Sequence, residues 1–137
     1  MADTIRQVEY YYATVPDKPG EGARVAGMLR DAGVNLLAFH AFPSARRSQL
    51  DFVPADAHAF PAAAKVAGIK VTGPRRVFLV DGDDRRGAIA ALLDKLAAAK
   101  INVTAVDAVS SGIGRYGALI WVKSKDLQRA SAALGAA

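Results

Sequence analysis

The chain of 137 residues contains no cysteine, which excludes disulfides, thiolate metal sites and cysteine nucleophiles and leaves redox silent about its compartment. Histidine is nearly as scarce. The two present, His40 and His58, fall on different predicted elements without ligand spacing, so neither a metal site nor a histidine general base is expected. No stretch approaches the ~20 apolar residues that span a bilayer. The opening MADTIRQVEYYY also lacks a basic segment followed by an apolar run, so a cytoplasmic protein without a membrane partner is expected. There is no Ser-His-Asp or Cys-His order, and Gly112-Ile113-Gly114 is too short to cradle a phosphate. With Asp83-Asp84 as its one adjacent carboxylate couple, the chain reads as no enzyme and implies no cofactor.

The net charge of +5 would suit an anionic partner. However, the bases come as scattered pairs, Arg46-Arg47, Arg75-Arg76 and Arg85-Arg86, with acids such as Asp51, Asp83 and Asp84 nearby. That pattern describes a solvated basic surface more economically than a nucleic-acid track.

The organising feature is an internal register. Gly20 falls on Gly87, and the same ungapped offset places Asp17 on Asp84, Leu29 on Leu96, Asn35 on Asn102 and Gly68 on Gly135. Each copy opens with a β-branched and aromatic run, Tyr10 to Val15 or Val77 to Asp81, which predicts a strand. An amphipathic helix follows, with Val25, Met28, Leu29 and Ala32 at i, i+3, i+4 and i+7 and Leu92, Leu96 and Ala99 repeating the stripe. Asp17 and Asp84 are the expected N-caps, Pro19 fits the first helical turn, and Gly33 suits a C-cap that Lys100 replaces in the second copy.

Second strands are predicted over 34–39 and 101–106, and third strands over 49–54 and 116–122. Short second helices then carry Phe60, Ala63 and Ala67, or Leu127, Ala130 and Leu134. Ile69 to Thr72 is the expected closing strand of the first copy. The fold class is thus α+β: two tandem ferredoxin-like βαββαβ modules with antiparallel sheets, residues 1–73 and 74–137. The second module stops at Gly135-Ala136-Ala137 without its own last strand, and Thr4 to Val8 is the expected substitute, in the same chain or a partner subunit.

The segment Asp17-Lys18-Pro19-Gly20, then a helix, then Ala32-Gly33-Val34-Asn35-Leu36, resembles the ACT family. The second copy carries Asp84-Arg85-Arg86-Gly87 and Ile101-Asn102-Val103, with Arg86 where the family has proline. The resemblance implies a regulatory protein that binds a small molecule, a free amino acid, where modules meet, and that works as a homodimer or larger assembly, with a regulated partner protein. It places the ligand against Asp17, Lys18, Pro19, Gly20 and Asn35 in one copy and Asp84, Arg86, Gly87 and Asn102 in the other. The chemistry suits that assignment. A glycine lets a ligand approach the backbone, a helix N-terminus offers free N-H groups to a carboxylate, and asparagine both donates and accepts. The plainer alternatives are that the Asp residues only cap helices, the Gly residues only ease packing, and the Asn residues only tie down turns.

The RNA-recognition motif shares the topology. Its first-strand signal is passable in Val77-Phe78-Leu79-Val80 and its third-strand signal is echoed in Arg115-Tyr116-Gly117-Ala118-Leu119, but Leu119 stands where a second stacking ring is needed. Nucleic-acid binding is therefore the lesser reading.

Overall fold

The structure is a computed structural model that describes residues 3–137. Among them run six strands and four α-helices: β1 (Thr4–Pro16), α1 (Glu21–Asp31), β2 (Leu36–Ser44), β3 (Arg47–Pro54), α2 (Phe60–Ala67), β4 (Thr72–Asp83), α3 (Ala88–Ala98), β5 (Val103–Ser110), β6 (Arg115–Val122) and α4 (Leu127–Leu134). They form two compact units, one of residues 9–75 and one of residues 3–8 with 76–137. Strands β1 and β4 each contribute residues to both.

In the 9–75 unit the strand order is β2-β3-β1, with β3 antiparallel to both neighbours. Period-2 alternation sends Tyr11, Ala13 and Val15 of β1 and Leu50 and Phe52 of β3 to the helix side, where they meet Val25, Leu29, Phe60 and Ala64. Each large side chain so buried contributes on the order of 1.5–3 kcal/mol. The Tyr11 ring lies 4.8 Å from that of Phe60 and its hydroxyl donates to the Ala57 carbonyl. Tyr12, on the other side of the pleat, lies under the Arg75 guanidinium at 4.7 Å.

In the other unit the order is β4-β6-β5, again antiparallel. Phe78, Val80, Ala118 and Ile120 face Leu92, Leu96, Ala130 and Leu134. Ile5 of β1 joins this core, and the Ala137 N-H donates to the Ile5 carbonyl at 2.9 Å. The extension Thr4 to Val8 therefore serves the module whose own last strand is missing, within the same chain.

Three local expectations are corrected. The closing strand of the first copy does not run over Ile69 to Thr72: β4 begins at Thr72 and continues to Asp83, while Ile69 and Val71 pack against the core as irregular chain. Both second strands are longer than predicted. The β2-β3 hairpin closes through Ala45 and Arg46, both at positive φ (50° and 66°), in the mirror-image turn whose twist matches the strands. Neither residue is a turn former, so the sequence carried no signal for so tight a loop. Finally, α1 and α3 are not capped by Asp17 and Asp84: their N-caps are Gly20 and Gly87, in the left-handed region at φ 89° and 80°, with no side-chain cap bond. Pro19 accordingly lies before the helix. The aspartates stand three residues ahead of the caps, too early to reach the first-turn N-H groups.

Candidate ligand site

The turn from β4 into α3 builds the better-defined groove, of about 270 Å³. Asp84 leaves the strand with its N-H bonded to the Gly114 carbonyl at 2.9 Å, and Gly87 then swings the chain into α3. No side chain caps the helix, and although the Ala88 N-H is taken by the Arg85 carbonyl at 3.3 Å, the positive end of the helix dipole faces the groove. Ser110, from the end of β5, donates to the Asp84 carboxylate at 2.9 Å. That bond holds one carboxylate oxygen and leaves the other available.

Behind these groups lies a buried cluster. Arg85 makes two parallel bonds to the Asp3 carboxylate, 2.9 and 3.0 Å, and a third to the Asp83 carbonyl. A Cβ at Gly82 would collide with the Asp3 carboxylate and the Tyr116 ring, so the glycine makes room for both. The Arg85 guanidinium holds the Asp3 carboxyl below its ordinary range. Tyr116 lines the groove and is 6% exposed, with its hydroxyl set against the Asp3 carboxylate and the Arg85 guanidinium. Burial first, and then the interaction with Asp3, push it up to about 12.

The corresponding turn of the 9–75 unit differs. Asp17, Lys18, Pro19 and Gly20 are all exposed, and Asp17 accepts from Ser48 at 3.1 Å. Strand registry sets Ser48 opposite Val15, as Tyr116 is set opposite Gly82. The first copy thus fills with Val15 the space that the second opens with Gly82, and it has serine in place of the buried tyrosine.

The structure does not bring all the predicted residues together. Asp84 and Gly87 line the groove, and Arg85 rather than Arg86 joins them. Asn35 and Asn102 lie beyond the far ends of α1 and α3, helices of 11 residues and so about 16 Å long. Asn102 is exposed, and Asn35 lines a separate cavity. Sequence reasoning missed Asp3, Ser110 and Tyr116. Tyr116 was visible only as an echo of a stacking ring, and in the structure it and Phe78 belong to the core, so no open platform for bases exists at those two positions. Among the described residues no group of three His, Cys, Asp or Glu could hold a metal ion, and no helix is long and apolar enough to cross a membrane.

Comparison with known proteins places this architecture. No family model and no curated protein matches the chain. Solved structures do. Protein BT0572 from Bacteroides thetaiotaomicron superposes with a TM-score of 0.80 at 17% identity, over 96% of this chain and 88% of that one. The regulatory subunit of aspartate kinase from Thermus thermophilus, in its ligand-free form, gives 0.65 at 15% identity over 98% and 96%. Its counterpart from Thermus flavus gives 0.62 at 16% identity over 98% and 95%. At such identities the likeness is one of fold alone.

Proposed function

We propose that the chain is a non-catalytic, cytoplasmic regulatory protein that binds a free amino acid at the groove of Asp84, Arg85, Gly87, Ser110 and Tyr116. The observation that carries this reading is the α3 N-terminus, without a side-chain cap, sharing a groove with the Asp84 carboxylate that Ser110 holds. A ligand carboxylate there lies at the positive end of the helix, while the second Asp84 oxygen accepts from the ligand ammonium. A zwitterion carries both charges. Regulatory subunits of aspartate kinase share the fold, which supports a role in sensing rather than chemistry. In this reading the output is a change in packing or partner choice.

Isothermal titration of the full chain against the free amino acids tests this. One or a few are expected to bind, and Asp84→Asn is expected to weaken the best of them about ten-fold or more, the value of one hydrogen bond to a charged group. Absence of binding by any amino acid, or unchanged affinity in a folded Asp84→Asn protein, would overturn the reading.

A further inference from the structure

The carboxylate that holds Arg85 comes from far up the chain. Asp3 stands one residue ahead of β1, and its two bonds to the guanidinium join the N-terminal segment to the turn between β4 and α3. The partners are unequally placed: the Asp3 side chain is 7% exposed and that of Arg85 34%, so the carboxylate lies behind while the guanidinium reaches the groove. Arg85 also carries the turn. Its side chain donates to the Asp83 carbonyl at 2.9 Å and its own carbonyl accepts from the Ala88 N-H at 3.3 Å, so what fixes Arg85 fixes the path from Asp83 into α3. The neighbouring acids differ in what holds them. Asp81 and Asp83 are each bonded to Arg115 at 2.7 Å, whereas Asp84, exposed in the groove, is held by the neutral Ser110. A guanidinium released from Asp3 therefore meets, in Asp84, the acid of this turn that has no cation among the described residues, and a charge-assisted pair forms there readily.

We infer that Asp3 is a positioning residue for the groove: by holding Arg85 back it keeps the second Asp84 oxygen open for a ligand ammonium, so that docking of the N-terminal segment and occupation of the groove favour one another. This deepens the reading proposed above and rests on it. Asp3 touches no ligand itself and acts through Arg85 alone. Since coupling between two sites is reciprocal, whatever loosens the Asp3 pair weakens the ligand, and a bound ligand holds Asp3 and the start of β1 more firmly to their unit.

The test uses the full chain in two arms. In the first, without ligand, ¹H-¹⁵N NMR spectra are compared for the wild type, Asp3→Asn, the double variant Asp3→Asn with Arg85→Gln, and Ile5→Val, which trims a core contact of the same segment and leaves the ion pair intact. Asp3→Asn is expected to move the amides of Asp84, Gly87 and Ser110, the double variant to return them toward the wild type, and Ile5→Val to leave them in place. In the second arm the twenty free amino acids are titrated calorimetrically. Asp3→Asn should weaken the best binder about ten-fold or more, the value of one charged hydrogen bond. The double variant should recover most of that loss, because the cation that captures Asp84 is gone; a role in folding alone would leave it as weak as Asp3→Asn or weaker. If no amino acid binds the wild type, the reading of the groove fails and this inference with it. If the wild type binds, the inference alone is overturned by unmoved Asp84, Gly87 and Ser110 amides in Asp3→Asn, by affinity that Asp3→Asn leaves unchanged, or by a double variant that binds no better than Asp3→Asn.

Discussion

At the scale of single residues, the consequential features are those whose meaning depends on a partner far away in sequence. Asp17 and Asp84 look like caps because a carboxylate before a helix usually is one, yet each bonds to a serine on a strand, Ser48 or Ser110. Gly82 carries no special φ and reads as filler inside a strand. Its role is set by Asp3 and Tyr116, which no local pattern connects to it. Asp3 is also where a pH dependence can be read out. Its folded-state pKa lies below the ordinary value, chiefly through the bond from Arg85, so it contributes stability above the unfolded-state pKa of about 4 that is lost as pH falls through the folded value. Asp3→Asn should therefore melt below the wild type near neutral pH, with the difference shrinking as pH is lowered past about 4. Paired thermal melts check this, and a gap that stays constant down to strongly acid pH would show that the carboxylate is not linked to folding.

Whole elements were far more legible, because periodicity and a repeated register report on many residues at once. Shifted by the offset that carries Gly20 to Gly87, Glu21–Asp31 becomes Ala88–Ala98 and Phe60–Ala67 becomes Leu127–Leu134, the observed helices. What escaped were the ends. The hairpin at Ala45-Arg46 is closed by residues that pay for positive φ, and β4 runs on through Gly73-Pro74, a pair that reads as a break. The helix C-termini carry a testable asymmetry between the copies. Gly33 sits at φ 82° and its counterpart Lys100 at φ 59°, both left-handed, but only glycine is free of the Cβ penalty there. Nothing lies within 4 Å of a Cβ built on Gly33, so Gly33→Ala should cost about 1 kcal/mol through backbone strain alone. Lys100→Gly should gain a similar or smaller amount, since relief of strain is partly offset by the entropy of a freer unfolded chain. Urea denaturation resolves both, and a destabilised Lys100→Gly protein would show that the lysine side chain earns its place by contacts instead.

For the molecule as a whole, the question is which sheet edges remain open once the chain has satisfied what it can. Thr4 to Val8 already serves the unit that lacks its own last strand, so that edge is not the one that calls for a second chain. Among the described residues each unit has one strand paired on a single side, β2 on β3 in the 9–75 unit and β5 on β6 in the other. An edge strand offers a row of free N-H and C=O groups, and proteins that stay monomeric blunt such edges with charge, proline or a covering element. Strand β5 carries Asp107 along its length. Strand β2 carries no Lys, Arg, Asp or Glu, its one proline, Pro43, stands at the hairpin end, and it leaves Leu37 and Phe39 44% and 45% exposed. Antiparallel pairing of β2 with its own copy about a two-fold axis would use the same residues on both sides, as isologous dimers do. The expected outcome of light scattering is therefore a dimer or larger species whose mass falls toward the monomer in Phe39→Lys, since a charge on an edge strand opposes pairing. Deleting residues 1 to 8 should act differently, removing Ile5 from a core and lowering thermal stability rather than abolishing association through β2. A wild-type protein that scatters as a monomer at every concentration, or a Phe39→Lys protein that associates undiminished, would show that the β2 edge is not where two copies meet.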